Sequence, residues 1–273
     1  MSEHSGVKPD DGAVREAGAD TGADAGPGAD SGWELPASIE TAWGRRDRPH
    51  KGPKPGLSLQ RVVDAAVRVA ESEGLDAVSM SRVAAELGAS TMSLYRYVSA
   101  KDELVKLMID AAWGPPAATA PDLGWRAGLS RWAWGMRAAL RRHPWAARVP
   151  ISGLPVLPNE VAWFEQALAD LDGSGLAEAE KASVIMLVSG YVRTLATLES
   201  DLEATVRASG VTPDEWMAAY PRMLTKLTDP GRFPALAKFI AAGVFDRADD
   251  PDDEFIFGLE RILDGIEVLI SSR

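Results

Sequence analysis

The residues best suited to chemistry lie in one short stretch, Thr91-Met92-Ser93-Leu94-Tyr95-Arg96-Tyr97, with Lys101 close behind. Hydroxyls, phenols and one guanidinium supply hydrogen-bond donors and acceptors, the means of recognising a polar surface. Lys101 opens a further helical segment, and an ammonium at a helix N-terminus makes an anion site on physical grounds alone. Bond-breaking chemistry finds little support elsewhere. There is no cysteine, which removes disulfides, thiol nucleophiles and cysteine-based metal sites. The histidines are His4, His50 and His143, too scattered for a metal cluster. No GxSxG, Walker loop, HExxH or strand-borne GxGxxG occurs. The acidic run FDRADDPDDEF lacks the spacing and glycine of a calcium loop. Neither a cofactor, a metal nor a catalytic residue is expected, and the chain does not read as an enzyme.

Presenting a polar front requires a short helix with an apolar back, held by others. The sequence supplies them. Residues 58–74, SLQRVVDAAVRVAESEG, place Leu59, Val62, Val63, Ala66, Val67 and Ala70 near a 3.6-residue period, with Ser58 as N-cap and Gly74 as the stop. A second helix spans Ser81–Leu87, capped by Ser79 or Ser81, with Val83, Ala84 and Leu87 on one face. Gly88 stands where the chain must turn with positive φ, and Ala89 is small enough for a tight corner. The third helix runs from about Thr91 to Tyr97, with Leu94 and Val98 facing inward. Ser99 and Asp102 then form a variant capping box for a fourth helix that Trp113-Gly114-Pro115-Pro116 ends. Two short helices, a tight turn, a packed back and a polar front make a helix-turn-helix. The overall charge of −11 opposes a nucleic-acid partner, but its distribution does not: residues 1–44 carry −7, residues 45–110 carry +2 and residues 111–273 carry −6. Local charge facing phosphates sets DNA affinity.

Residues 76–107, DAVSMSRVAAELGASTMSLYRYVSAKDELVKL, resemble the signature of TetR-type regulators in the turn, in the L-Y-x-Y-V recognition helix and in the following K-D-E-L. LRRHPWAARVP and the helix around WFEQALADL resemble the tetracycline-repressor-like C-terminal branch. The resemblance implies a transcriptional regulator, probing double-stranded DNA as a homodimer and released from a palindromic operator by a small-molecule effector. It implies that Ser81 or Arg82 reaches a phosphate or base. Thr91, Met92 and Ser93 would meet base edges, Tyr95 and Tyr97 the backbone or thymine methyls, Arg96 a base or phosphate, and Lys101 a phosphate. From its residues alone, Tyr97 reads equally well as a packing residue.

The remaining chain reads as a tail, an arm and an all-α C-terminal domain. Residues 1–44 hold too little apolar surface to offset ordering entropy and are expected to be disordered, with Trp43 solvated. Arg45, Arg46, Arg48, Lys51 and Lys54 form a basic, proline-rich arm up to residue 55; it reads as a linker or as a minor-groove contact. The DNA-binding domain is placed at 56–113 and a ligand-binding and dimerisation domain at 115–273. Helices are predicted near 124–142, 144–149, 158–171, 177–207, 213–226, 234–242 and 252–271. Trp132, Met136, Trp145, Trp163, Phe164, Met186, Tyr191 and Arg193 are the candidates for lining a pocket, each of them also an ordinary core residue. Arg193 sits in an apolar helix, where an unpaired charge is costly. Glu199 or another acid is its expected partner, an anionic ligand the alternative. The helices at 177–207 and 252–271 are the expected dimer contact. No secretory leader or membrane span is read, and a cytoplasmic location is expected. The competing reading is a helical adaptor that binds protein without specific DNA readout.

Overall fold

A computed structural model describes residues 35–45, 57–118, 124–151, 153–244, 250 and 252–273. The described residues are helical and contain no strand. No helix among them is long and apolar enough to cross a membrane. The order is α1 (Ala37–Ala42), α2 (Leu59–Glu73), a 3-10 turn (Leu75–Ala77), α3 (Met80–Glu86), α4 (Thr91–Leu94), α5 (Lys101–Trp113), α6 (Gly124–Arg142), α7 (Pro144–Ala147), α8 (Pro158–Asp170), α9 (Glu178–Ser209), α10 (Pro213–Leu227), α11 (Pro234–Ala241) and α12 (Asp253–Ser271).

Helix α2 packs on α3 and α5, and α5 in turn packs on α6 and α8. Helix α6 is the hub of the C-terminal half, lying against α7, α8 and α9, while α12 docks on α9. From Pro36 to Arg273 the chain makes one compact unit. The expected helices are present within a few residues of their predicted ends. Helix α1 is a correction: a segment read as disordered tail forms a helix, with Ser38 and Ile39 buried. So short a helix does not hold itself together in water, so tertiary contact must order it. The basic arm at 46–55 and the tail at 1–34 lie outside the described residues.

A buried cation that the sequence reading did not single out fixes α12. Arg137 on α6 is 2% exposed and reaches Glu199 on α9 and Asp252 beside α12, both at 2.9 Å. Its guanidinium lies 4.5 Å over the ring of Phe255, which is also edge-on to Trp134 at 4.6 Å. Charge pairing and the aromatic face together balance a desolvated cation. Tyr191 completes the joint by donating its hydroxyl to the carbonyls of Glu254 (2.8 Å) and Phe255 (3.1 Å). Truncating fully buried Phe255 to alanine should lower unfolding free energy by about 3–5 kcal/mol. Urea denaturation measures this, and a loss below about 1 kcal/mol would show that α12 is not anchored there.

Candidate nucleic-acid interface and effector cavity

The polar front forms because its back is apolar. Ser79 caps α3, its hydroxyl accepting from the Arg82 amide at 3.1 Å, and Met80, Val83 and Ala84 turn inward. Gly88 takes φ +62°, a left-handed conformation that favours glycine. Ser90 then caps α4 through the Ser93 amide at 3.3 Å. Leu94 and Val98 are buried. The opposite face presents Met92, Tyr95 and Arg96 exposed, with Thr91 and Ser93 half-buried beside them. The α-helix is shorter than the predicted Thr91–Tyr97: it ends at Leu94, and the chain continues as a turn closed by Tyr97 N–H to Leu94 O at 2.8 Å.

Four expectations are sharpened. Tyr97 donates its hydroxyl to the Leu57 carbonyl at 3.0 Å and is half-buried, so it braces the module's entry. Arg82 is clasped by Glu73 at the end of α2 (2.5 Å) and by Glu86 one turn along α3 (3.1 Å). Hydrogen bonding to Arg82 holds the Glu73 carboxyl below its usual range. Ser81 stays exposed at the start of α3, its hydroxyl 3.1 Å from that of Ser79. At α5 the cap shifts by one residue. Ala100 is the N-cap, and Glu103 rather than Asp102 reaches back to accept the Ser99 amide at 2.6 Å and the Ser99 hydroxyl. Lys101 stands exposed on the first turn of α5.

A cavity of about 270 Å³ opens between α5, α6, α8, α9 and loop residues 149–151 and 153–157. Trp132, Met136, Trp163, Phe164 and Arg193 of the predicted set line it, joined by Trp113 from α5. The indoles of Trp113 and Trp132 stand 5.9 and 6.3 Å from that of Trp163, tilted and edge-on. Two of the N–H groups are placed: Trp132 donates to the Trp163 carbonyl (2.8 Å) and Trp163 to the Gly114 carbonyl (2.9 Å). Arg193 donates to the carbonyls of Ala147 (3.2 Å) and Val149 (2.5 Å) rather than to Glu199, which Arg137 engages. Burial lowers its pKa, though a guanidinium stays charged. The other three predicted residues lie elsewhere. Trp145 lies on α7 and is buried in the core, Tyr191 bonds to α12, and Met186 is 72% exposed.

Comparison with known proteins agrees with this geometry. Residues 62–108 match the model of bacterial regulatory proteins of the tetR family, and residues 117–270 match that of the tetracyclin repressor-like C-terminal domain. The HTH-type transcriptional repressor DrrR1 of Streptomyces coeruleorubidus is 42% identical over 243 residues, 88% of each chain. The chain belongs to the TetR family. It is a helix-turn-helix transcriptional regulator, which disfavours the adaptor reading. Apo ActR from Streptomyces coelicolor superposes with a TM-score of 0.68 at 26% identity, covering 81% of this chain and 99% of that one. ActR in complex with actinorhodin gives 0.66 at 28%, covering 80% and 99%.

Within this TetR-family chain, one residue the sequence reading passed over joins the two parts. Asp110 on α5 is 8% exposed. One carboxylate oxygen accepts the amides of Asn159 and Glu160, both at 2.9 Å, at the N-terminus of α8. The other accepts the Asn159 side-chain amide at 3.1 Å. Burial raises its pKa against those hydrogen bonds, and burial likewise raises that of Glu160. An acidic residue amid Leu107, Met108, Ile109 and Ala112 was the available signal. His143 adds a second tie, its Nδ1 2.9 Å from Glu71 on α2.

Two outcomes follow from this arrangement. Lys101→Ala should weaken binding to all duplexes alike and reduce the slope of log affinity against log salt by about one. Filter binding across a salt series checks it, and a sequence-selective loss with an unchanged slope contradicts it. For Asp110, the folded chain takes up its proton at a higher pH than the unfolded chain. Its contribution to stability therefore grows as pH falls through the raised pKa toward 3.8. Urea unfolding over that window should show the stability of wild type rising relative to that of Asp110→Asn as pH falls; a relative stability that does not change with pH contradicts it.

Proposed function

We propose that this chain is an effector-released repressor that grips a two-fold symmetric operator as a dimer. The observation that carries the reading is the double duty of α5. Lys101 begins it beside the recognition face, and Trp113 ends it in the cavity wall. Thirteen residues of helix separate the two ends by about 18 Å. A molecule that displaces Trp113 therefore acts on the phosphate-facing end of a rigid rod. It shifts the balance only by its affinity difference between the two positions.

In this reading Ser81, Thr91, Met92, Ser93, Tyr95, Arg96 and Lys101 meet DNA, within a module at 56–113, and residues 115–273 hold the effector and the dimer contact. The dimer is supported by α9 and α12, where Met186, Leu187, Phe257 and Val268 stand exposed. The effector is a flat aromatic molecule with an anionic or strongly accepting group. Three tryptophans and Phe164 suit its rings, and Lys106 and Arg193 suit its charge. ActR's complex with actinorhodin and DrrR1's role as a repressor lend the reading support. The site of action is the cytoplasm, and the activity is regulation rather than catalysis.

Footprinting on the DNA upstream of its own gene should reveal two protected half-sites related by a dyad, about one helical turn apart. Sedimentation at micromolar protein should give a dimer, and actinorhodin should release the operator. Monomers with and without DNA, or an operator with no dyad, would overturn the reading.

A further inference from the structure

Helix α1 has contacts at both ends that the family assignment does not explain. At its first turn, buried Ser38 donates its hydroxyl to Glu103. Glu103 is the carboxylate that also accepts the Ser99 amide and hydroxyl, so it closes the N-terminus of α5 beside Lys101. Just beyond its last turn, Trp43 donates its indole N–H to the Val156 carbonyl at 2.9 Å, 113 residues away in sequence. Val156 belongs to the wall of the cavity, and Glu160 holds the same loop from α8 by accepting the amides of Val156 (3.3 Å) and Leu157 (3.4 Å). Between the two ends Ile39 is buried in the common core and Ala42 packs on it. Six residues of helix cannot order themselves alone, so tertiary contacts hold α1: the core contact of Ile39 and the two end attachments.

We propose that α1 is a strap that ties the loop over the cavity to the N-cap of α5, so that loop and recognition module respond as one. Ser38 and Trp43 are its positioning residues: neither has to touch the effector or DNA. When the loop moves, the Trp43 end is pulled, and Glu103 transmits the displacement to Ser99, at the junction between the recognition turn and α5. The part of this idea that concerns release rests on the effector reading above; the mechanical tie does not.

The two ends allow a test without any ligand. Ser38→Ala and Trp43→Phe each remove one hydrogen bond at one end and leave the core faces intact. Amide hydrogen exchange on the full-length chain reads local opening. If α1 is a strap, Ser38→Ala speeds exchange in the remote 153–157 loop by about fivefold, and Trp43→Phe does the same for residues 99–104, the size expected from one lost hydrogen bond. Effects confined to each variant's own end overturn the proposal. Deleting residues 1–45 should reproduce both effects together, and a deletion that leaves both segments as protected as wild type overturns it as well. With actinorhodin as the probe, the midpoint of operator release should shift at least about threefold in the same direction in both point variants. Release curves that superimpose on wild type would remove the strap from the response. A wild-type chain that does not bind actinorhodin would sink the effector reading used here, while the exchange result still decides the strap.

Discussion

The carboxylate of Asp110 set on the N-terminus of α8 is the contact on which the rest depends. It is buried, it satisfies two backbone amides that α8 leaves without intrahelical partners, and it belongs to the helix that carries Lys101. A buried carboxylate is unfavourable unless several donors meet it, and here the donors come from the helix that also supplies Trp163 and Phe164 to the cavity. The DNA-facing module and the cavity therefore share one joint. Moving α5 without moving α8 would strip the carboxylate of its donors, so the low-cost motions are those that carry both.

Other charges in the C-terminal half keep that joint framed. Arg137 gathers α6, α9 and α12 around Phe255, and Arg193 ties α9 to the carbonyls of Ala147 and Val149 at the foot of the cavity loop. Both guanidiniums do positional work, and they leave the cavity lined mainly by indole and aliphatic surface. The indoles of Trp132 and Trp163 are fixed by their N–H bonds, so this part of the cavity wall is already formed. The exposed apolar side chains of α9 and α12 lie on helices framed by the same arginines, so dimer geometry and cavity geometry are set together.

Much of this was legible in the sequence. Gly88, the Ser58 cap, and Leu94 with Val98 dictate the helix-turn-helix locally, through a positive φ, a side-chain acceptor and helical spacing. Five of the eight proposed lining residues meet at one cavity because these residues of α6, α8 and α9 face the same interior. What stayed hidden depends on partners distant in the chain. The clasp of Arg82 by Glu73 joins residues nine apart across a turn, and the bond of Tyr191 to α12 joins residues more than sixty apart. Met186 follows the apolar rhythm of α9 yet faces outward, because a helix that is apolar on more than one side does not declare which side is core. Helix α1 was masked by its surroundings: the spacing of Ile39 and Trp43 marks a helical face, but an acidic low-complexity run precedes it and its partners, Glu103 and Val156, are distant in the chain.

The central claim is that the cavity and the recognition module move as one through α5. Since the chain has no cysteine, a single spin label at Ala85→Cys, on the exposed side of α3, reports the separation of the two heads in the dimer by pulsed electron resonance. With actinorhodin added until the tryptophan fluorescence of the cavity is fully quenched, the account predicts that the distance distribution shifts as the operator is released. A quenched cavity and a released operator with an unchanged distribution would contradict it.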